Sequence, residues 1–278
     1  MELFFEILKA FFLGVVQGIT EWLPVSSTGH MILFDEFVKL NVSEEFKEMF
    51  FVVIQFGSIL AVLILYWNRL FPFSKGKTPA EQKKTWSLWL KIVIAAIPAA
   101  VIGLLFDDIL DKYLYNYVVV AATLILYGVV FIVIERMHKN RVYTVNSAEE
   151  FTPKTALKVG LFQLLSLIPG TSRSGSTIIG GMLVGVSRTA AAEFSFFLAI
   201  PVMLGASALK ILKYILEFGL TFTSVEIITM IVGTVTAFAV SLAAIRFLVG
   251  FVRRHSFESF GWYRIVLGAV VMVYFLLT

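Results

Sequence analysis

The chain has 278 residues, of which 59% are hydrophobic and 15% charged, and its mean hydropathy is +0.89. A soluble domain of this length cannot hide so much apolar surface, so a bilayer is implied as its solvent. The absence of cysteine excludes disulfides, thiolate metal sites and cysteine nucleophiles, and a net charge of +4 reads as topology signalling, not nucleic-acid binding.

In chain order, Glu2 and Glu6 precede the first apolar stretch with no basic leader, which argues against a removable signal peptide. Phe4–Phe34 follows, broken by Glu21, Pro24, Ser26, Ser27, Thr28 and His30. Three spans come next, Phe50–Trp67, Leu88–Phe106 and Tyr113–Ile134, each near the length of about 20 apolar residues that a hydrocarbon core requires. Lys158–Val186 is again broken, by Pro169, Gly170, Thr171, Ser172, Arg173, Ser174 and Gly175. Three further spans close the chain, Ala190–Leu212, Ile227–Val249 and Trp262–Leu277. Each half of a broken stretch reads as too short to cross, which predicts a helix that enters, breaks at mid-depth and returns.

The connections orient this bundle. Arg69, Lys75, Lys77, Lys83 and Lys84 follow the first span, Arg136, Lys139, Arg141 and Lys154 the third, and Arg253 and Arg254 the fifth. The alternate connections, Asp107–Lys112 and Glu217–Ser224, are poor in Lys and Arg. The positive-inside rule then runs the first span inward and the fourth outward. A shift of 146 positions superposes Gly14 on Gly160, Gln17 on Gln163, Ser26 on Ser172, Thr28 on Ser174 and Gly29 on Gly175. The expectation is one all-α membrane domain over 1–278. It holds six transmembrane helices and two re-entrant hairpins, in inverted repeats of approximately 1–135 and 155–278.

The breaks carry the chemistry. Gln17 and Glu21 lie one helical turn apart, and Pro24 is suited to ending that helix. The hydroxyl run Ser26-Ser27-Thr28 can cap the returning helix and leave its first N–H groups open to an anion. Ser27 and His30 are spaced for a nucleophile and a base on one turn. The second break repeats the cap with Ser172, Ser174 and Gly175 and adds Arg173, whose fork suits phosphate oxygens. Taken singly, hydroxyls in membrane helices often only bond backbone carbonyls, and Gly180, Gly181 and Gly185 can serve close packing. A carboxylate, an imidazole and a guanidinium at one membrane depth point to function, with a structural Glu21–Arg173 pair as the alternative. His138 and His255 read as solvated, Glu193, Lys210 and Lys213 sit near the ends of the fourth span, and Asp107, Asp108 and Asp111 form a weak cation-binding pattern that reads rather as a solvated loop.

Gln17-x-x-x-Glu21, Pro24-Val-Ser-Ser-Thr-Gly-His30 and Pro169-Gly-Thr-Ser-Arg-Ser-Gly175 resemble the signature segments of bacterial undecaprenyl-diphosphatases of the bacitracin-resistance type. The likeness continues through Gly180-Gly-Met-Leu183 and Gly185-Val-Ser-Arg188 to Glu193-Phe-Ser-Phe196. The resemblance implies a multi-pass enzyme of the bacterial plasma membrane with interlocked inverted repeats. Its reaction would remove the terminal phosphate of undecaprenyl diphosphate, a polyprenyl diphosphate lipid, with a divalent cation (Mg2+ or Ca2+). By matching position it implies Ser27 as nucleophile with His30 as base and acid, His30 as nucleophile being the alternative. Glu21, helped by Gln17, would hold the cation or orient His30. Arg173, with Ser26, Thr28, Ser172, Ser174 and Thr177, would cradle the diphosphate. The family allows Glu or Gln at its first motif position, and Gln17 leaves one carboxylate there. The site is expected to open to the outer face, and a homodimer is left open. The competing reading is a transporter or flippase for an anionic or lipid-linked substrate, since broken helices in inverted repeats also build transporters.

Overall fold

A computed structural model describes residues 2–139 and 141–277. Its described residues form eleven α-helices: α1 Glu2–Thr20, α2 Ser27–Phe37, α3 Glu44–Leu65, α4 Trp67–Leu70, α5 Pro79–Leu114, α6 Tyr117–Met137, α7 Pro153–Gln163, α8 Arg173–Leu183, α9 Arg188–Phe218, α10 Ser224–Val252 and α11 Glu258–Leu277. Each of the six predicted spans lies within or against one of α3, α5, α6, α9, α10 and α11, all long and apolar enough to cross a bilayer. On α5, Leu90, Val93, Ile97, Val101 and Leu104 recur every three or four residues and all face outward. A face so apolar and without protein cover is what hydrocarbon stabilises and water does not. The chain is a multi-pass, all-α membrane protein.

Two expectations about the helices need correction. Leu3–Thr20 is also long and apolar enough to cross, so shortness does not hold for α1, whereas α2, α7 and α8 have 11 residues each. The segment Asp107–Lys112 is not a loop: α5 runs on to Leu114, because the three aspartates are set among apolar residues and no Gly or Pro interrupts them. The side chains of Asp107, Asp108 and Asp111 lie outside the described residues.

The start and the finish of each broken pair lie together, at opposite ends of the bundle for the two pairs. Near the start of α1, Glu6 Oε2 accepts the backbone N–H of Asn41, just past α2, at 2.9 Å. Beyond α8, Val186 pairs with Val145, and Ser187 N–H donates to Val145 O at 2.8 Å, beside the segment that leads into α7. The basic connections gather at that second end. Arg69 bonds Glu149 at 2.6 Å and Glu193 at 2.9 Å, and Arg136 bonds Glu258 at 2.6 Å. Burial works against the Glu149 carboxylate, but the Arg69 fork outweighs it and holds its pKa below the ordinary range. At the opposite end Lys210 bonds Glu48 at 2.8 Å. His138 is not solvated: it is buried, and Arg141 Nη1 donates to its Nε2 at 2.6 Å. Burial and the Arg141 charge hold the His138 pKa below the usual histidine range. His255 is exposed.

The two halves interlock. α1 packs on α10 and α7 packs on α5, so the first helix of each half crosses a span of the other. The matched glycines sit at those crossings. A Cβ on Gly14 would come within 2.6 Å of Gly233 O, and one on Gly160 within 2.3 Å of Ala95 O. Backbones this close leave no room for a side chain, which accounts for the repeat of glycine at these positions.

Candidate active site

The breaks are built locally by their caps. α1 ends at Thr20, four residues before Pro24, and the chain turns through 21–25. Ser26 then caps α2, its Oγ accepting Gly29 N–H at 3.3 Å, and Ser172 caps α8, its Oγ accepting Gly175 N–H at 3.1 Å. These two serines have φ of 72° and 73° and are the described non-glycine residues with positive φ. Such backbone costs about 1–3 kcal/mol per residue and persists where surrounding contacts over-determine it. Both caps leave first-turn N–H groups outside the helix ladder, so two helix N-termini carry partial positive charge into one region.

Tertiary contacts then join the breaks. Glu21 Oε2 accepts Gln17 Nε2 and Ser27 Oγ, each at 3.0 Å, and Glu21 Oε1 accepts Arg173 Nη2 at 3.2 Å. Arg173 Nη1 donates to Ser195 O at 2.7 Å and Ser195 Oγ at 3.1 Å, and its guanidinium lies 5.8 Å from the Trp22 ring centroid. Ser174 Oγ lies 3.3 Å from both Glu21 O and Leu23 O, tying α8 to the first break. Thr177 is buried behind the guanidinium, its Oγ1 donating to Ser195 Oγ at 2.8 Å. Ser27, Thr28, His30, Ser172 and Arg173 are half-buried, while Gln17, Glu21, Ser26, Ser174 and Thr177 are buried beneath them.

His30 is placed differently from the dyad its spacing to Ser27 predicts. Its Nδ1 lies 2.7 Å from Ser26 O and its Nε2 lies 2.7 Å from Tyr263 Oη, the two rings lying parallel within 6°. A carbonyl only accepts, so Nδ1 carries a proton, and Nε2 is covered by the Tyr263 hydroxyl. The described partner of Ser27 Oγ is Glu21.

Sequence reading passes over Tyr263, Arg264 and Ser195. Arg264 is fully buried, and its fork reaches Pro24 O at 3.2 Å, Gly170 O at 2.8 Å and Thr171 O at 3.0 Å. Its signal was present, an arginine within an apolar span. Ser195 lies within the Glu193–Phe196 run. Tyr263 had no local signal, since an aromatic near a span end is usually an interfacial anchor.

The donors admit a divalent cation in one manner. Among the described residues no three His, Cys, Asp or Glu side chains come together, and Glu21 is the carboxylate at the breaks. A hard cation would find that carboxylate, the Gln17 amide oxygen and serine hydroxyls, and would complete its shell from phosphate oxygens, a mode common for Mg2+.

A family model described as Bacitracin resistance protein BacA matches residues 10–270. Curated relatives include an undecaprenyl-diphosphatase of Enterococcus faecalis, 59% identical over 272 residues that cover 97% of each chain. One from Acetivibrio thermocellus is 55% identical over 271 residues covering 98% of each, and undecaprenyl-diphosphatase 1 of Clostridium acetobutylicum is 55% identical over 273 residues covering 98% of each. The match spans both breaks and the helices that carry Ser195 and Arg264, and the chain belongs to the bacitracin resistance protein BacA family.

Proposed function

We propose that the chain is an integral-membrane undecaprenyl-diphosphatase. It hydrolyses undecaprenyl diphosphate to undecaprenyl phosphate and inorganic phosphate, recycling the lipid carrier for peptidoglycan synthesis and conferring bacitracin resistance. The observation that carries this reading is the convergence of two capped helix N-termini, Arg173, Glu21 and Ser27 at one pair of breaks. Phosphoryl transfer asks mainly for positioning and charge stabilisation, and this arrangement offers both.

In the proposed mechanism Arg173 and the first-turn N–H groups of α2 and α8 bind the diphosphate oxygens, with Thr28 and Ser172 at the rim. Ser27 Oγ attacks the terminal phosphorus as its proton passes to Glu21 Oε2, 3.0 Å away. The phosphoanhydride bond breaks and undecaprenyl phosphate leaves with the electron pair. Water then attacks the phosphorus on Ser27, giving a proton to His30 Nε2 once Tyr263 has moved off, while the Oγ–P bond breaks and Ser27 Oγ takes its proton back from Glu21. Gln17 orients Glu21, Ser26 orients His30 through its carbonyl, and Ser174 and Thr177 hold the breaks and Arg173 in register. A divalent cation, Mg2+ or Ca2+, bound at Glu21 and Gln17 together with the diphosphate, would neutralise phosphate charge.

The same reading makes α1–α2 and α7–α8 re-entrant hairpins in inverted repeats among six transmembrane helices. The meeting of each pair's start and finish, through Glu6–Asn41 and Val145–Val186, supports it. The basic end faces the cytoplasm of a bacterial plasma membrane and the site opens outward. Phosphate release from undecaprenyl diphosphate by the purified protein in detergent tests the enzyme. Lipid movement in sealed vesicles without hydrolysis would instead identify a transporter or flippase.

A further inference from the structure

Arg264 is a buried cation that the proposed mechanism does not use. Glu21 and Arg173 compensate each other. Among the described residues no carboxylate pairs with Arg264; its described hydrogen-bond acceptors are three backbone carbonyls. The Tyr127 ring centroid is 5.7 Å from its guanidinium carbon. Carbonyl dipoles solvate a guanidinium but do not cancel its charge, so one positive charge is left over next to the breaks. In a low-dielectric slab such a charge is costly unless an anion arrives to balance it.

The carbonyls are as informative as the charge. Pro24 precedes the α2 cap by two residues, and Gly170 and Thr171 immediately precede the α8 cap. One planar fork therefore sets the spacing of both helix N-termini. Neutral donors could satisfy these carbonyls, yet the position carries the one side chain that combines a permanent charge with a rigid fork.

We propose that Arg264 is a positioning residue of the phosphate site. It aligns the two breaks through Pro24, Gly170 and Thr171, and it supplies the uncompensated positive charge against which the diphosphate is held. This rests on the phosphatase reading. Its two parts separate by substitution: Arg264→Gln keeps donors and drops the charge, whereas Arg264→Lys keeps the charge and loses the fork.

The test measures methylenediphosphonate binding by calorimetry, kcat and KM for undecaprenyl diphosphate, and thermal unfolding, for wild type and both variants in detergent. Arg264→Gln should bind the diphosphonate about tenfold more weakly with KM raised to match, as lost binding affinity requires. Arg264→Lys should keep affinity within about threefold while kcat falls at least about tenfold, since misplacement of the breaks costs positioning. A folded Arg264→Gln that binds as tightly as wild type overturns the charge role, and an Arg264→Lys with wild-type kcat overturns the alignment role. If Arg264→Gln does not fold, Arg264→Lys decides: affinity kept with kcat lost supports the proposal, and both lost together refutes it. Wild type that binds diphosphonate but releases no phosphate would sink the phosphatase reading and leave the binding comparison standing.

Discussion

Glu21 and Arg173 stand 152 residues apart in the chain and meet with Oε1 3.2 Å from Nη2, their side chains 7% and 10% exposed. This contact joins the turn after α1 to the first residue of α8, so it locks the two breaks as well as setting the charge between them. Removing one partner of such a pair strands the other in low dielectric, at about 3–5 kcal/mol. Glu21→Gln should therefore lower the melting temperature and abolish turnover. Glu21→Gln with Arg173→Gln should destabilise by less than the two single changes added. A double-mutant cycle by thermal melting in detergent checks this, and strict additivity would show that the pair does not interact.

Ser27→Ala and His30→Ala should each lower phosphate release by about 10²–10⁴-fold, the range for a lost nucleophile or base, with the melting temperature nearly unchanged. Both residues are partly exposed, so their truncation should cost little packing. Normal hydrolysis by either variant refutes its assigned role.

Tyr263→Phe should expose His30 Nε2, because the phenolic hydroxyl 2.7 Å away covers it. Diethyl pyrocarbonate should then modify His30 several times faster, while exposed His255 is unaffected, as peptide mass spectrometry can measure. Equal His30 rates in wild type and variant would show that the contact does not shield the ring.

The cap serines make a prediction about backbone. At Ser172, with φ 73°, alanine loses the cap and keeps the strain, whereas glycine loses the cap and relieves it. Ser172→Gly should be more stable than Ser172→Ala by about 1 kcal/mol. Melting curves that place alanine above glycine contradict the strained geometry.

Glycine at the crossings should be irreplaceable. Gly14→Ala and Gly160→Ala force a Cβ against a backbone oxygen and should each destabilise by about 1–3 kcal/mol. At Gly205, in α9, an added Cβ would meet nothing within 4 Å, and Gly205→Ala should be neutral or stabilising. Thermal melting of the three variants reads the order directly.

Much of this protein was legible in its sequence because the information is local. Hydropathy marks the spans, since a bilayer excludes polar side chains whatever their neighbours: predicted Phe50–Trp67 corresponds to α3 at Glu44–Leu65. The caps Ser26 and Ser172 and the Gln17–Glu21 bond each close within four residues, so spacing alone predicts them. The Gly14–Gly160 match was legible as a repeat, but only the structure puts both glycines at close crossings.

What periodicity cannot carry is the partner. Spacing put Ser27 beside His30, but the fold turns Ser27 to Glu21 and gives His30 to Tyr263, 233 residues away in sequence. That the segment after α2 meets the start of α1 is seen only in the Glu6–Asn41 contact, and that both breaks share one guanidinium depended on where α11 packs. Residue type and local spacing determined which groups lie at membrane depth; only the interlocked packing of the two halves, which brings distant backbone and side chains within hydrogen-bond reach, decided which of them act together.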